Sequence, residues 1–339
     1  MAFPGSTWRT ILVLASGHDS ADASGATQPV MNRHTVGILE FRENDFIRSV
    51  ISGLSGIPTE HIRVNHHLHP SASPYRLIVD RVSFCDPFLR HLMRYWSITG
   101  TYVLNDPFFT LVHDKLSELL LYDQLSIHHP RTVLLPRVNT TEDMSEMVLP
   151  PDWDVIGAIV GFPCIVKPID GYAWEDVSVV QDAAELRALY EASKEKRTFL
   201  LQERIRFEAY YRAFYVEGSE VFIARWDPRP LDNGQYSLPT ASELDGIEAA
   251  IRSKTIALNR ALGLDFNAVE WCVRGDGALM VIDSYNDVPD VRPEKLPPVC
   301  YDWIVDRFCS CIKRKWASEE RNSLAPRLPP RLDSDALSG

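Results

Sequence analysis

The sequence has no Walker-type phosphate loop, no Gly-x-Ser-x-Gly elbow, and no Cys/His pair suggesting an activated nucleophile. Its six cysteines (Cys85, Cys164, Cys272, Cys300, Cys309 and Cys311) include no CxxC spacing, and Cys309-Ser-Cys311 is a poor zinc knuckle. Reduced core thiols in a cytoplasmic protein are the expectation. No run approaches the roughly 20 apolar residues of a membrane span. The apolar stretch at 11–15 is too short and too weakly flanked by basic residues for a secretory signal, and reads as a first strand. Basic residues are not in excess: the net charge is −11, which argues against a nucleic-acid partner. A local basic pocket for phosphates remains compatible with it. What is present is ordinary for a soluble globular chain, with 45% apolar and 24% charged residues over 339 positions. That length suits two domains, or three small ones.

The most informative stretch is VEWCVRGDGALMVIDSYND at 269–287. It reads as two strands joined by a tight turn at Asp276-Gly277. With that turn, Trp271 faces Ile282 and Glu270 faces Asp283. Opposed carboxylates on one ladder lie roughly 5 Å apart at their β-carbons and repel each other. A cation between them would remove that cost, and Asn286 adds a neutral oxygen. Oxygen-only ligation suits Mg²⁺. The competing reading is a surface hairpin with two solvated acids.

Along the chain, strands are expected at 75–79, 102–104, 132–135, 164–167, 177–180 and 199–203. Helices are expected at 39–54, at 87–96 opened by Pro87, over 108–125, from an Asp152 cap to 160, and from Asp182 to about 194. A hairpin spans 210–216 and 220–226 around Gly218-Ser219, a long helix covers 242–262, and a closing helix covers 302–315. The segment 139–151 reads as a polar surface loop, and 317–339 as a disordered tail. His61, His66, His67 and His69 cluster without an acid or cysteine at ligand spacing. His128-His129 reads as a turn. Asp80-Arg81 ends a strand, where α/β sheets place ligands or form internal ion pairs.

Taken in order, VGFPCIVKPIDGYAWEDVSVV, FLLQERI, YYRAFYVEG and the Glu270–Asp283 hairpin resemble the ATP-grasp superfamily, most closely its RimK-like and glutathione-synthetase-like branch. The likeness covers about 80–290. YRLIVDR, GTYVLNDP and DKL look like the domain that precedes the grasp. The fold implied is α/β and α+β: an N-terminal parallel α/β domain at 1–107, then a two-lobed grasp. Its central lobe, with phosphate loop and hinge, is placed at 108–205 and its C-terminal lobe at 206–316.

The resemblance implies roles for particular residues. Lys167, and Lys115 on the preceding helix, would reach the nucleotide phosphates. Gln202, Glu203 and Ile205 match the adenine hinge, and Glu208 the ribose contact. Arg212 and Arg225, pointing from adjacent strands, would neutralise the transferred phosphate or acyl phosphate. Glu270, Asp283 and Asn286 would hold one or two Mg²⁺, with Mn²⁺ able to substitute. The chain departs from the family in two places. Residues 170–176, Asp-Gly-Tyr-Ala-Trp-Glu-Asp, hold one glycine where many members are glycine- and serine-rich. Asn286 stands three rather than two residues beyond the metal-binding acid.

The implied activity is ATP-dependent carboxylate–amine ligation through an acyl phosphate, releasing ADP and phosphate. The carboxylate would come from a small molecule or peptide, and the acceptor would be an amine. A kinase of the same fold and a non-catalytic nucleotide-binding protein are the alternatives. No nucleic-acid or membrane partner is expected, and a homodimer is a family-level expectation.

Overall fold

The computed structural model describes residues 34–42, 44–64, 72–138, 151–170, 176–228, 236–318 and 320–324. The expected first strand at 11–15, His66, His67 and His69, most of the 139–151 loop, and 171–175 of the phosphate loop lie outside these. So do residues 325–339.

In the first unit, short apolar runs form a parallel sheet. Strand β1 (Val36–Leu39) is wholly buried and is followed by helix α1 (Asp45–Gly53), whose Asn44 cap accepts a hydrogen bond from the Ile47 amide at 3.0 Å. Strands β2 (Thr59–His61) and β3 (Leu77–Asp80) come next. Helix α2 (Pro87–Ile98) starts where Asp86 accepts from the Leu89 amide and proline occupies the first turn. Strand β4 (Tyr102–Leu104) completes the order β2-β1-β3-β4, with every pairing parallel. Runs without polar alternation are what a parallel sheet buried on both faces requires. Gly37 permits the packing, because a β-carbon there would stand 2.8 Å from Ile62 and Tyr75 side-chain atoms. Asp80 accepts from the Val82 and Ser83 amides, and Arg81 pairs with Glu40, so the internal ion-pair reading holds for Arg81.

The second unit takes Phe109–Leu262 and Asn267–Cys300. The expected continuous helix over 108–125 is two helices, α3 (Phe109–Val112) and α4 (Ser117–Gln124). Asp114 causes the break: its carboxylate accepts from the Leu116 and Ser117 amides, replacing helical bonds with a local cap. Lys115 therefore sits in a turn and not on a helix.

Strand β5 (Thr132–Leu135), helix α5 (Trp153–Val160, capped by Asp152), β6 (Cys164–Pro168), β7 (Ser178–Val180), helix α6 (Ala183–Ser193, capped by Asp182) and β8 (Phe199–Glu203) follow. The strands form an antiparallel sheet in the order β5-β8-β6-β7. One face packs Leu135, Cys164, Val166, Val180 and Leu201 against Ile156, Val160, Leu186 and Tyr190 of the two helices.

Strands β9 (Phe207–Val216), β10 (Phe222–Trp226) and β11 (Tyr236–Ser237) precede helices α7 (Ala241–Leu244) and α8 (Glu248–Leu262). The expected single helix over 242–262 is split at Gly246, whose φ of +73° is the left-handed conformation that ends helices. Strands β12 (Phe266–Arg274) and β13 (Leu279–Asp283) complete a sheet ordered β11-β10-β9-β12-β13. Tyr211, Ala213, Val269, Trp271 and Val281 pack against Ile251 and Leu258.

Helix α9 (Pro298–Ala317) closes the described chain. Residues 263–266 and the described residues from 301 onward belong to the first unit, although the resemblance implies a C-terminal lobe over 206–316. The start of the expected disordered tail is also corrected. Asn322 is buried, donates to the Val103 carbonyl at 2.7 Å, and accepts from the Val103 amide and the Ser97 hydroxyl. An amide that satisfies the edge of β4 is a strong local anchor. None of the six cysteines is in a disulfide, and among the described residues no helix is long and apolar enough to cross a membrane.

Candidate active site

The site lies in the second unit and is built around β12 and β13. Glu270 is the register partner of Asp283, as expected, yet the rest of the ladder differs: Trp271 pairs with Val281, not Ile282. The hairpin is closed by Arg274 and Ala278 around three residues, with Gly277 at φ +83°. Ile282 is then the extra residue of a bulge. A bulge re-aims the residues beyond it, and this one returns Asp283 to the face of Glu270.

Glu270 is buried. Its Oε1 accepts from Arg212 Nε at 3.1 Å and Nη2 at 2.6 Å, and its Oε2 from the Tyr210 hydroxyl at 2.6 Å. Tyr210 and Arg212 alternate on β9, so both project onto this face. Arg212 sends Nη1 to the Tyr236 hydroxyl at 2.6 Å and stacks 3.9 Å from the centre of the Trp226 ring. Burial alone would lower the Arg212 pKa, but the Glu270 charge and Tyr236 outweigh it and the net shift is upward. A charge so held is a rigid cation aimed at Glu270.

Arg225 is elsewhere. It pairs in register with Tyr211, whereas Arg212 pairs with Ala224, so the two arginines leave opposite faces of the sheet. Arg225 forms an ion pair with Glu243, on the side where Tyr211 donates to the Glu243 carbonyl. The expectation that both arginines serve one site is corrected: they do not share a face.

Lys167 stands on β6 opposite Leu200, and its ammonium is in electrostatic reach of Asp283, Lys115, Glu118 and Glu270. Burial pushes its pKa down, Lys115 adds to that, and the three carboxylates oppose it. The sequence reading assigned Glu118 no role. It is 2% exposed, and its Oε2 accepts from the Tyr122 hydroxyl at 2.8 Å and from Ser284 Oγ. Burial, reinforced by the nearby Asp283 charge, pushes its carboxyl up to about 8. Its Oε1 is buried without a hydrogen-bond partner. A charged residue on the same helical row as Tyr122 and Leu125 was the available signal.

The hinge candidates are spread over the end of β8. Gln202 is buried and donates to Thr132 Oγ1 at 3.2 Å. Glu203 accepts from Arg131 Nε at 2.9 Å, which lowers its pKa. Ile205 is half-buried between β8 and β9, and Glu208 is exposed on β9. The Gln202 and Glu203 side chains are turned to neighbours on β5 and the residue before it, and the Glu203 amide donates to the Arg131 carbonyl at 2.9 Å. Asn286 is held through its backbone: its amide donates to Asn267 Oδ1 at 2.6 Å and its carbonyl accepts from Ala268 at 3.2 Å.

Glu270, Asp283 and Asn286 offer oxygen ligands alone, the set that suits Mg²⁺. The Glu270 carboxylate accepts three bonds and retains lone-pair capacity. The donor set fits a divalent cation.

No protein-family model matches the sequence, and a search of curated proteins finds no match. Solved structures do match in three dimensions. A RimK-domain ATP-grasp protein from Sphaerobacter thermophilus is 20% identical, with a TM-score of 0.60 over 82% of this chain and 98% of that one. D-alanyl-alanine synthetase A from Vibrio cholerae is 12% identical, with a TM-score of 0.62 over 85% and 98%. The ATP-grasp ligase PsnB, in complex with a minimal precursor, Mg and ADP, is 15% identical, with a TM-score of 0.56 over 86% and 100%.

Proposed function

We propose, from the ATP-grasp fold that this chain has, that it is an ATP-dependent ligase joining a carboxylate to an amine through an acyl phosphate, with release of ADP and phosphate. One observation carries this reading: Lys167, from one antiparallel sheet, meets Glu270 and Asp283 from the other in a single electrostatic cluster. Such a cluster positions a polyphosphate and neutralises charge, which is most of what phosphoryl transfer asks of a protein.

In this reading, Lys167 and Lys115 draw the nucleotide phosphates in, and backbone groups near Gln202, Glu203 and Ile205 take the adenine edge. Glu208 is assigned to the ribose. Glu270, Asp283 and Asn286 would hold one or two Mg²⁺, which neutralise phosphate charge when bound. Arg212, locked by Glu270, Tyr236 and Trp226, faces the substrate carboxylate as it becomes an acyl phosphate. Fixed donors that need no reorganisation are the effective form of such stabilisation. PsnB was solved with a precursor, and a peptide carboxylate is included in the proposed substrate class on that basis. The amine acceptor, a cytoplasmic location and a homodimer belong to the same proposal.

The test is ADP release by the full chain with Mg²⁺–ATP against panels of carboxylates and amines, with mass spectrometry of the products. An amide accompanied by ADP supports the ligase. A phosphorylated product without an amide would make the protein a kinase, and nucleotide binding without turnover would make it a binding module.

A further inference from the structure

Strand β13 ends at Asp283, and beyond it the segment to Asn286 keeps a backbone bond to β12 from the Ala268 amide to the Asn286 carbonyl at 3.2 Å, so side chains must add to its hold. Asn267 meets that need. It is fully buried on β12, and its side chain makes three hydrogen bonds, two of them to this segment. Its Oδ1 accepts from the Asn286 amide at 2.6 Å, and its Nδ2 donates to the Ser284 carbonyl at 2.8 Å and to Asn259 Oδ1 at 2.8 Å. Asn259 in turn donates to the Thr255 carbonyl at 2.8 Å, which fixes the sense of both amides. Ser284 has a second hold, because its hydroxyl donates to Glu118.

We infer that Asn267 is a positioning residue for the cation site: its amide supplements the backbone pairing beyond Asp283 and fixes the segment that carries Asp283 and Asn286. This rests on the metal-dependent reading proposed above. The chemistry requires an amide, since the position must accept once and donate twice. An apolar side chain there would strand a buried carbonyl and a buried amide. Glu118 is the subordinate hold, bonded to this segment through Ser284.

The experiment is a Mn²⁺ titration of the full chain by electron paramagnetic resonance, with a non-hydrolysable ATP analogue present. ADP binding in chelator is measured in parallel by calorimetry. Variants are Asn267→Ala, Asn267→Asp and the control Thr255→Val. The Thr255 hydroxyl accepts from Trp271 Nε1 at 3.0 Å in the same buried network, a bond to β12 and not to the 283–286 segment. Loss of a group that orients metal ligands costs about 10–100-fold in metal affinity. The expected result is at least tenfold weaker Mn²⁺ binding in Asn267→Ala, with metal-free ADP binding unchanged and Thr255→Val like wild type. Asn267→Asp keeps the volume and the oxygen facing Asn286 but loses both donations, so it tests the hold on the Ser284 carbonyl if the alanine variant does not fold. Unchanged Mn²⁺ affinity in a folded Asn267 variant overturns the inference while leaving the ligase reading intact. Equal losses in the Thr255 control also overturn it, since the effect would then be general destabilisation. Absence of Mn²⁺ binding by the wild type would overturn both.

Discussion

Arg212 and Arg225 stand on neighbouring strands of one sheet and point to opposite faces, because Arg212 is paired with Ala224 and Arg225 with Tyr211. Their environments differ accordingly. The Arg212 side chain is 10% exposed and is the principal counter-charge of a buried carboxylate, whereas the Arg225 side chain is 43% exposed in its pair with Glu243.

Truncating the two arginines should therefore have unequal effects. Arg212→Ala leaves Glu270 buried without its cation, at a cost of about 3–5 kcal/mol. Arg225→Ala breaks a solvent-screened pair worth about 0.2–1 kcal/mol. Urea unfolding of the two variants reads the difference, and equal losses would contradict the face assignment. In an ADP-release assay, Arg212→Ala should be inactive and Arg225→Ala should stay within a few-fold of wild type.

Glu118 predicts a pH dependence of stability. Its carboxyl is raised in the folded chain to about 8, above its unfolded value of 4.5. Between those values the folded state holds a proton that the unfolded state has lost. Its contribution is complete below about pH 4.5 and is lost as pH rises towards 8, at on the order of 1 kcal/mol per pH unit. Glu118→Gln should flatten this slope in unfolding experiments between pH 5 and 8. An unchanged slope would mean that Glu118 is ionised in the folded chain.

Nucleotide should stabilise the fold through Lys167 and the acidic pair. At about a hundred times its dissociation constant, Mg²⁺–ADP adds about 2.7 kcal/mol of stability. The shift in thermal midpoint should need Mg²⁺ and vanish in Glu270→Ala. Lys167→Met should weaken binding with or without the metal, since it removes a cation expected to contact phosphate directly. A full shift in Glu270→Ala would remove this residue from the metal site.

The hairpin turn at Gly277 should tolerate only small changes. Its φ of +83° is left-handed, and a β-carbon there costs roughly 1–2 kcal/mol. No atom lies within 4 Å of the position a β-carbon would take, so the cost of Gly277→Ala should be conformational. Asn at 277 should cost less than Ala, as measured by chemical denaturation.

Much of the fold was legible locally. The caps at Asp152 and Asp182 start helices as their sequence context implies, because a carboxylate bonding to the amide three residues ahead needs no distant partner. The apolar run of β3 likewise announced a strand, whereas β1 was not expected and the helix expected from residue 39 starts only at Asp45. Asp114 and Gly246 misled only where a local cap interrupted a continuous apolar pattern.

The two hairpins separate what sequence determines from what tertiary structure decides. In each, the apolar pattern and glycine located the turn, but the pairing closes one residue away from the register of a two-residue turn. A two-residue turn at Gly218-Ser219 would set Arg212 opposite Arg225, while the observed ladder sets it opposite Ala224. Nothing corrects that slip, and Arg225 leaves the site. At the second hairpin, the bulge at Ile282 compensates for the slip, and Glu270 meets Asp283 as the sequence suggested. Side chains alternate with a period of two, so a single-residue change in register reverses the face of every residue beyond it. Residue types and their order determined which groups could form the site. Loop closure and one bulge, set by packing between strands, decided which of them share a face.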